Sequence, residues 1–401
     1  MSLQHLNFEA ISVGDLSRLV ADAIGESKTL EYKEQFVVST EDQKREFLSD
    51  VTALANTDGG DLVFGMKESD GVAVELVGLK NLTPDEAIAR IENLLRDSIQ
   101  PRLAGVQLRA LQLSNGNYVL LVRTPRSFST PHMVRHHGVT RFCGRNANGK
   151  YDLDVHELRS AFLASETLSE RIRGFRVERI NRLLSGNAPV ELLGDHLLVL
   201  HLLPVIGARA DTRLATSSLQ ALLTENIPRP IAASSWDPRF NFDGLLVSSG
   251  WRTNKSHSYV QISRTGFLEA VESQTLVPTA SQILDGELRR IIPGIAWEKR
   301  IVAAMPSYLK ALAELKLPPP YVMSLSLLNV RGYIMDVSPF YRGNGGRPVD
   351  RDHLLTDEML IESVNMTPGR LLRPLFDQIW NGCGWHGSIN YDEVGNWKEH
   401  H

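Results

Sequence analysis

Polar and apolar positions change period several times along the chain. VGDLSRLVADAI (13–24) has the spacing of a short amphipathic helix that ends at Gly25. ESKTLEYKEQFVV (26–38) is rich in Thr, Leu, Tyr, Phe and Val and predicts an extended segment containing a strand. In STEDQKREFLSDVTALANTDGG (39–60), Ser39 or Thr40 can cap a helix, Phe47, Val51 and Leu54 recur at helical spacing, and Asn56 to Gly60 is the stop. DLVFGM (61–66) predicts a buried strand, and LTPDEAIARIENLLRDSI (82–99) a helix with Pro84 near its first position. VQLRALQLSNGNYVLLVRTP (106–125) predicts a hairpin turning at Asn-Gly, MVRHHGVTRFCG (133–144) a smaller one, and DLDVHELRSAFLAS (152–165) a closing helix.

The expected architecture is α+β. Residues 1–166 form one domain of mixed sheet and packed helices. A helical connector at 167–190 carries SERIRGFRVERINRLLSG (169–186). A second α+β domain spans 191–401. Its strands are expected at 196–204, 243–249, 257–264 and 321–336, its helices at 216–225, 280–292, 297–316 and 369–380. Prolines at 228–230 and 318–320 and the loop GNGGRPVDRD (343–352) punctuate it. P-loop, GxGxxG, GxSxG and HExxH spacings do not occur, so no nucleotide cofactor is expected.

Composition narrows the class. With 401 residues, 42% hydrophobic and 22% charged, the chain is neither disordered nor fibrous. Two cysteines, Cys143 and Cys383, fit a reducing compartment. The first residues lack the basic start and apolar core of an export signal, and no apolar run reaches membrane-span length, so a cytoplasmic location without membrane partner is expected. Charge is unevenly distributed. Residues 1–100 hold 9 Lys/Arg against 19 Asp/Glu, whereas residues 101–150 hold eight basic residues and no acid. Such a block suits a polyanionic partner, or else it pairs with the acids of the first hundred residues.

The most distinctive chemistry lies between residues 26 and 68. Glu26 and Glu31 flank the start of a strand. Lys33, two positions after Glu31, shares its face in an extended segment. If the strands at 30–36 and 61–66 are neighbours, Glu68 joins them. Three carboxylates repel unless a cation neutralises them, and oxygen ligands of this kind suit Mg²⁺ or Mn²⁺. Acids at strand ends are also commonly just solvated.

Glu26-Ser27-Lys28-Thr29-Leu30-Glu31-Tyr32-Lys33, Ala53-Leu54-Ala55-Asn56-Thr57-Asp58-Gly59-Gly60 and Gly65-Met66-Lys67-Glu68 together resemble the Schlafen AlbA_2 domain over about residues 10–165. The resemblance implies an α+β domain that binds DNA or RNA. Vertebrate relatives include endoribonucleases that cut tRNA and rRNA with three acids. It thus implies catalytic and metal-holding roles for Glu26, Glu31 and Glu68, with Glu68 standing where those enzymes have an aspartate. Met66 and Lys67 depart from the family pattern, and Lys67 could neutralise the cluster instead of a metal. Those enzymes combine two copies of the unit; the single copy here implies that a homodimer could supply the second wall of a cleft.

Lys33, Arg123, Arg126, Arg135, Arg141 and Arg145 are the candidate phosphate contacts, with a solvated strand face as the alternative. Tyr118, Phe128 and Phe142 lie among them and could stack on bases or pack in the core. Asn56 to Gly60 reads as a backbone nest near a phosphate or a helix stop, or both. His132, His136 and His137 add charge at mildly acidic pH, or with Cys143 form a transition-metal site. Cys383 and His386 are neighbours in a turn rather than a catalytic pair. Three readings follow: nucleic-acid binding without chemistry, a metal-dependent endoribonuclease, or a regulatory or defence component whose C-terminal domain senses a partner.

Overall fold

Side-chain caps start the first three helices where the sequence places them. In the computed structural model, Ser12 caps α1 (Val13–Ala21), Thr40 caps α2 (Glu41–Asn56), and Thr83 caps α3 (Pro84–Ser98), each in a reciprocal capping box. The structure describes residues 3, 6, 8–36, 38–80, 83–147, 149–209, 212–250, 255–277, 283–284, 287–288, 290–337 and 346–398. Two compact units divide the chain, Met1–Thr167 and Leu168–His401. Both mix helices and sheets, so the fold is α+β.

The strands of the first unit are β1 (Leu30–Lys33), β2 (Gly60–Phe64), β3 (Met66–Ser69), β4 (Val72–Leu76), β5 (Ile99–Gln100), β6 (Gln107–Gln112), β7 (Tyr118–Thr124), β8 (Met133–His136), β9 (Val139–Asn146) and β10 (Gly149–Asp152). They build one sheet in the order β1-β2-β7-β6 and another in the order β10-β9-β8-β5, with β3 and β4 as a separate hairpin. β1 runs parallel to β2, with Glu31 opposite Leu62. Strand alternation divides the apolar side chains between the two faces of the first sheet. Leu62, Phe64, Leu120 and Val122 pack with Leu48, Val51, Ile91 and Leu95 of α2 and α3. Leu30, Tyr32, Val63 and Leu121 pack with Leu16 and Leu19 of α1.

A single helix, α4 (Val155–Leu184), replaces the two helices expected at 152–165 and 169–186. The intervening Ser-Glu-Thr-Leu contains no Gly or Pro, so nothing breaks the backbone ladder.

The second unit comprises β11 (Glu191–Leu192), β12 (Leu197–Pro204), α5 (Thr216–Glu225), β13 (Trp236–Phe240), β14 (Gly244–Ser249), β15 (Lys255–Ser256), β16 (Ser258–Ser263), β17 (Leu268–Glu272), β18 (Ile283–Leu284), β19 (Glu287–Leu288), β20 (Ile291–Pro293), α6 (Ala296–Glu314), β21 (Tyr321–Leu328), β22 (Ile334–Asp336), β23 (His353–Leu355), β24 (Met359–Ile361) and α7 (Pro368–Gly382). Its main sheet has the order β13-β14-β16-β17-β12-β21-β23, with β24 also on β21. Leu198, Leu200 and Leu202 face a core shared with α5, α6 and α7. Leu197 and Val199 face Ile180 and Leu183 of α4.

Three expectations change here. The helix expected at 280–292 gives way to β18, β19 and β20 among its described residues; 280–282, 285, 286 and 289 lie outside them. Ile291 and Ile292 are β-branched, and β20 finds a parallel partner in β22. The expected strand 321–336 is split where Asn329 and Gly332 take positive φ. β17 was absent from the expected strands, because its two glutamates disguise a buried segment. Residues 343–345 of the expected loop and the terminal His400 and His401 lie outside the described residues.

Candidate nucleic-acid interface and carboxylate cluster

Strand β1 sets the site. Alternation places Glu31 and Lys33 on one face, as expected, and Lys33 Nζ lies 2.5 Å from Glu31 Oε1. The other sheet brings in β9, where Cys143 and Arg145 share the face from which Lys150 of β10 reaches α2. Arg145 is only 5% exposed; its guanidinium pairs with Glu31 Oε2 and donates to the Ser27 carbonyl. Asp50, on the buried side of α2, lies 3.9 Å from Lys33 and 2.7 Å from Lys150 Nζ of β10. Lys150 also reaches Glu46 at 2.5 Å. The result is a chain of alternating charge, Arg145–Glu31–Lys33–Asp50–Lys150–Glu46.

Neighbours set the protonation of this chain. Burial alone would raise the Glu31 carboxyl, but Lys33 and Arg145 outweigh it and hold it below its ordinary value. Burial, helped by the Glu31 charge, pushes Asp50 up to about 6. For Lys33, burial is opposed by Asp50 and Glu31, and its ammonium is favoured.

Glu26 and Glu68 sit at the edge of this chain. Glu26 Oε1 accepts the Tyr32 N–H at 2.9 Å, and Glu68 Oε2 accepts the Gly71 N–H at 2.6 Å. Burial raises the Glu26 carboxyl, and the charges of Glu31 and Glu68 raise it further. Glu26 therefore lies within the field of both other acids. They do not gather three oxygens within 4.8 Å, the spacing of a ready metal cage. Both Glu31 oxygens already bind cations, one Arg145 and the other Lys33. In this arrangement the three side chains do not fit a shared Mg²⁺ or Mn²⁺. Lys67 is exposed beside Glu68.

The basic block divides into inward and outward groups. Arg123 is 14% exposed and lies opposite Asp61 in the β2–β7 register. It pairs with Asp61 at 2.7 Å, donates to the carbonyls of Leu3 and Leu6, and stacks over Phe8. Arg126 pairs with Asp58 at 3.3 Å, an acid also held by Lys28 at 2.7 Å. Arg123, Arg126, Arg145 and Lys150 thus all meet acids of the first hundred residues. Arg141 is 44% exposed and pairs with Asp152 at 2.9 Å. Arg135 is exposed. In the β8–β9 register Arg141 is opposite Val134 and Arg135 opposite Thr140, so the two arginines leave opposite faces of the hairpin.

The Asn56–Gly60 turn is a scaffold element. The Asn56 amide donates at 2.9 Å to both the His132 and Cys143 carbonyls and accepts the His132 N–H at 2.7 Å. Gly59 has φ +73°, and a Cβ there would meet Arg126 N at 2.6 Å; one at Gly60 would meet the Thr29 carbonyl oxygen at 2.5 Å. Glycine alone allows β1, β2 and the segment after β7 to approach so closely.

The remaining candidates resolve individually. His132 is buried between the Pro101 carbonyl and the Ser127 hydroxyl, and burial lowers its pKa. Tyr118 is a core residue, and Phe142 packs edge-on to Phe162. Cys383 is buried, its thiol pushed up to about 12, which leaves no thiolate for catalysis. Asp50 and Lys150 were not among the candidate site residues. The available signal for Asp50 was an acid set within the apolar stripe of Phe47, Val51 and Leu54.

Residues 26–154 match the family model described as Schlafen, AlbA_2. The resemblance read from the ESKTLEYK, ANTDGG and GMKE segments is borne out over that stretch. Among solved structures, the chain is similar to the N-terminal domain of a protein described as DNA-helicase RecG-related from Nitrosomonas europaea. That likeness has 23% identity and a TM-score of 0.26 and covers 36% of this chain and 97% of the other. It is also similar to the DIP2311 protein from Corynebacterium diphtheriae, with 15% identity, a TM-score of 0.25, and coverage of 35% of this chain and 30% of that one. None of the curated proteins compared matches this chain. No described helix is long and apolar enough to cross a membrane.

Proposed function

We propose that the unit Met1–Thr167 binds nucleic acid through its phosphate backbone. The observation that carries this reading is the Schlafen AlbA_2 match over residues 26–154. The outward cations Arg126, Arg135 and Arg141 are the contacts we assign, with Lys33 at the rim of the carboxylate cluster. Exposed pairs such as Arg141–Asp152 hold their partners weakly, so a phosphate can replace the carboxylate. Arg123 and Arg145 serve the reading indirectly, by fixing the sheet and the cluster beneath those contacts.

Binding is tested by fluorescence anisotropy with a tRNA and a single-stranded oligonucleotide. For the wild-type chain, affinity should fall steeply with salt. In the triple variant Arg126→Glu, Arg135→Glu, Arg141→Glu, affinity should drop by at least about tenfold and the salt slope by about 2. Equal affinity in the two proteins would remove the assignment.

The charges of Glu31 and Glu68, both acting on Glu26, favour a second reading, hydrolysis of an RNA phosphodiester. Incubation of the same RNA with Mn²⁺ or EDTA separates the two. Cutting that requires Mn²⁺ and is lost in Glu26→Gln supports a hydrolase, in which the ion has to displace Lys33 or Arg145 from Glu31, since the three acids as they stand fit no shared ion; retention without cutting supports binding alone.

A further inference from the structure

We propose that Glu41, His136 and His137 form a binding site for a divalent transition ion of the Zn²⁺ class, with one coordination position left to water. The site is separate from the Glu26–Glu31–Glu68 cluster. It joins the first turn of α2 to the tip of the β8–β9 hairpin.

Backbone geometry makes the site possible. Successive strand residues point to opposite faces, so adjacent histidines ordinarily diverge. His137 instead has φ +45° and Gly138 φ +78°, the left-handed pair of a tight two-residue hairpin turn. An imidazole at positive φ carries a conformational cost of roughly 1 kcal/mol, and here that conformation folds the ring back beside its neighbour. The ring centroids are 4.6 Å apart. Both Nε2 atoms then reach one oxygen, Glu41 Oε2, at 2.7 Å from His136 and 3.0 Å from His137. The three donor atoms lie within 4.8 Å of one another.

Surrounding groups orient two of the ligands. His136 Nδ1 lies 2.9 Å from Ser98 Oγ, and Ser98 is buried. A proton on Nδ1 donated to that hydroxyl leaves the Nε2 lone pair directed at the site, the usual support for a metal-binding imidazole. Glu41 Oε1 is held by Lys44 Nζ at 2.7 Å, which leaves Oε2 for the ion. Tetrahedral ligands around zinc at ordinary bond lengths are ~3.3 Å apart. The two pairs between Glu41 Oε2 and the imidazole nitrogens need to open by only a few tenths of an ångström. The His137 side chain is 65% exposed, so an ion can enter from solvent. Two imidazoles and one carboxylate favour zinc, cobalt or nickel over magnesium or calcium. With three protein ligands, the fourth position remains for water.

The test is calorimetric titration of the full chain with Zn²⁺, followed by Co²⁺ absorption spectra. Both use a background in which His400 and His401 are replaced by Ala, so that imidazoles at the chain end do not contribute. One saturable ion per chain is expected, with tetrahedral Co²⁺ bands and a raised melting temperature in Zn²⁺. His137→Ala, an exposed change that leaves the core intact, and Glu41→Gln should each abolish saturable binding. Ser98→Ala should weaken it by about tenfold while retaining the stoichiometry. Absence of saturable binding, or binding unchanged by His137→Ala, overturns the proposal.

Discussion

Glu31 of the first unit and Glu298 of the second are buried in opposite ways. Glu31 of the first unit is surrounded by cations, Arg145 on one oxygen and Lys33 on the other, and Lys33 remains partly exposed. Glu298 of the second unit, on α6, is surrounded by neutral donors: Trp380 Nε1 at 2.6 Å, Asn390 Nδ2 at 2.8 Å, Ser388 Oγ at 3.0 Å and Trp397 Nε1 at 3.4 Å. Burial pushes Glu298 up to about 7, against the pull of those donors, whereas the cations beside Glu31 hold its carboxyl low. The charged arrangement is open at its rim, where Lys33 is 36% exposed. The neutral one is closed and ties the segment after α7 to α6. The identity of the neighbours, cations or neutral donors, therefore sets the charge state of a buried glutamate.

The largest effect should come from breaking the charged arrangement. Arg145→Ala leaves Glu31 buried with one cation and is expected to destabilise the first unit by about 3–5 kcal/mol. All six tryptophans lie at or beyond Trp236, so fluorescence follows the second unit only. The first unit is followed instead by hydrogen exchange of the β9 amides. Loss of exchange protection without a fluorescence change would show that the damage stays local.

Glu298 should give the next largest effect, as a dependence on pH. A folded pKa of about 7 lies above the ordinary value of 4.5, so the folded state binds the extra proton in that window. Stability is therefore fully present below about pH 4.5 and declines as pH rises through 7, by on the order of 3 kcal/mol for this group. Urea unfolding followed by tryptophan fluorescence should show that slope, and Glu298→Gln should flatten it. An equal slope in the variant would assign the dependence elsewhere.

Asn56→Ala removes three hydrogen bonds to the β8–β9 region and should cost about 2–3 kcal/mol, again read by exchange at β9. Asp152→Asn breaks an exposed pair with Arg141 and should change stability by less than about 1 kcal/mol. That last change frees Arg141, so it should tighten nucleic-acid binding slightly if the proposed contact is correct.

What the sequence makes legible is local. The period-2 rule placed Glu31 and Lys33 together, the Asn-Gly pair located the β6–β7 turn, and the glycines after Asn56 marked the helix stop. The partners of the arginines were not legible, because they depend on which strands become neighbours. Arg123 meets Asp61 only because β7 lies antiparallel to β2, and Arg145 meets Glu31 only because a strand of the other sheet packs near β1. The same limit hid Asp50, whose cation comes from residue 150. Continuity of α4 is illegible for a different reason: a polar stretch without Gly or Pro carries no stop signal, while its lost apolar periodicity mimics a break.

Asn56 leads to a wider point about motif searches. Its amide recognises two carbonyls and one N–H of distant backbone, so the side chain works as a keystone between helix and hairpin. A chain selected for its ANTxGG segment is thereby selected for a way of assembling the domain.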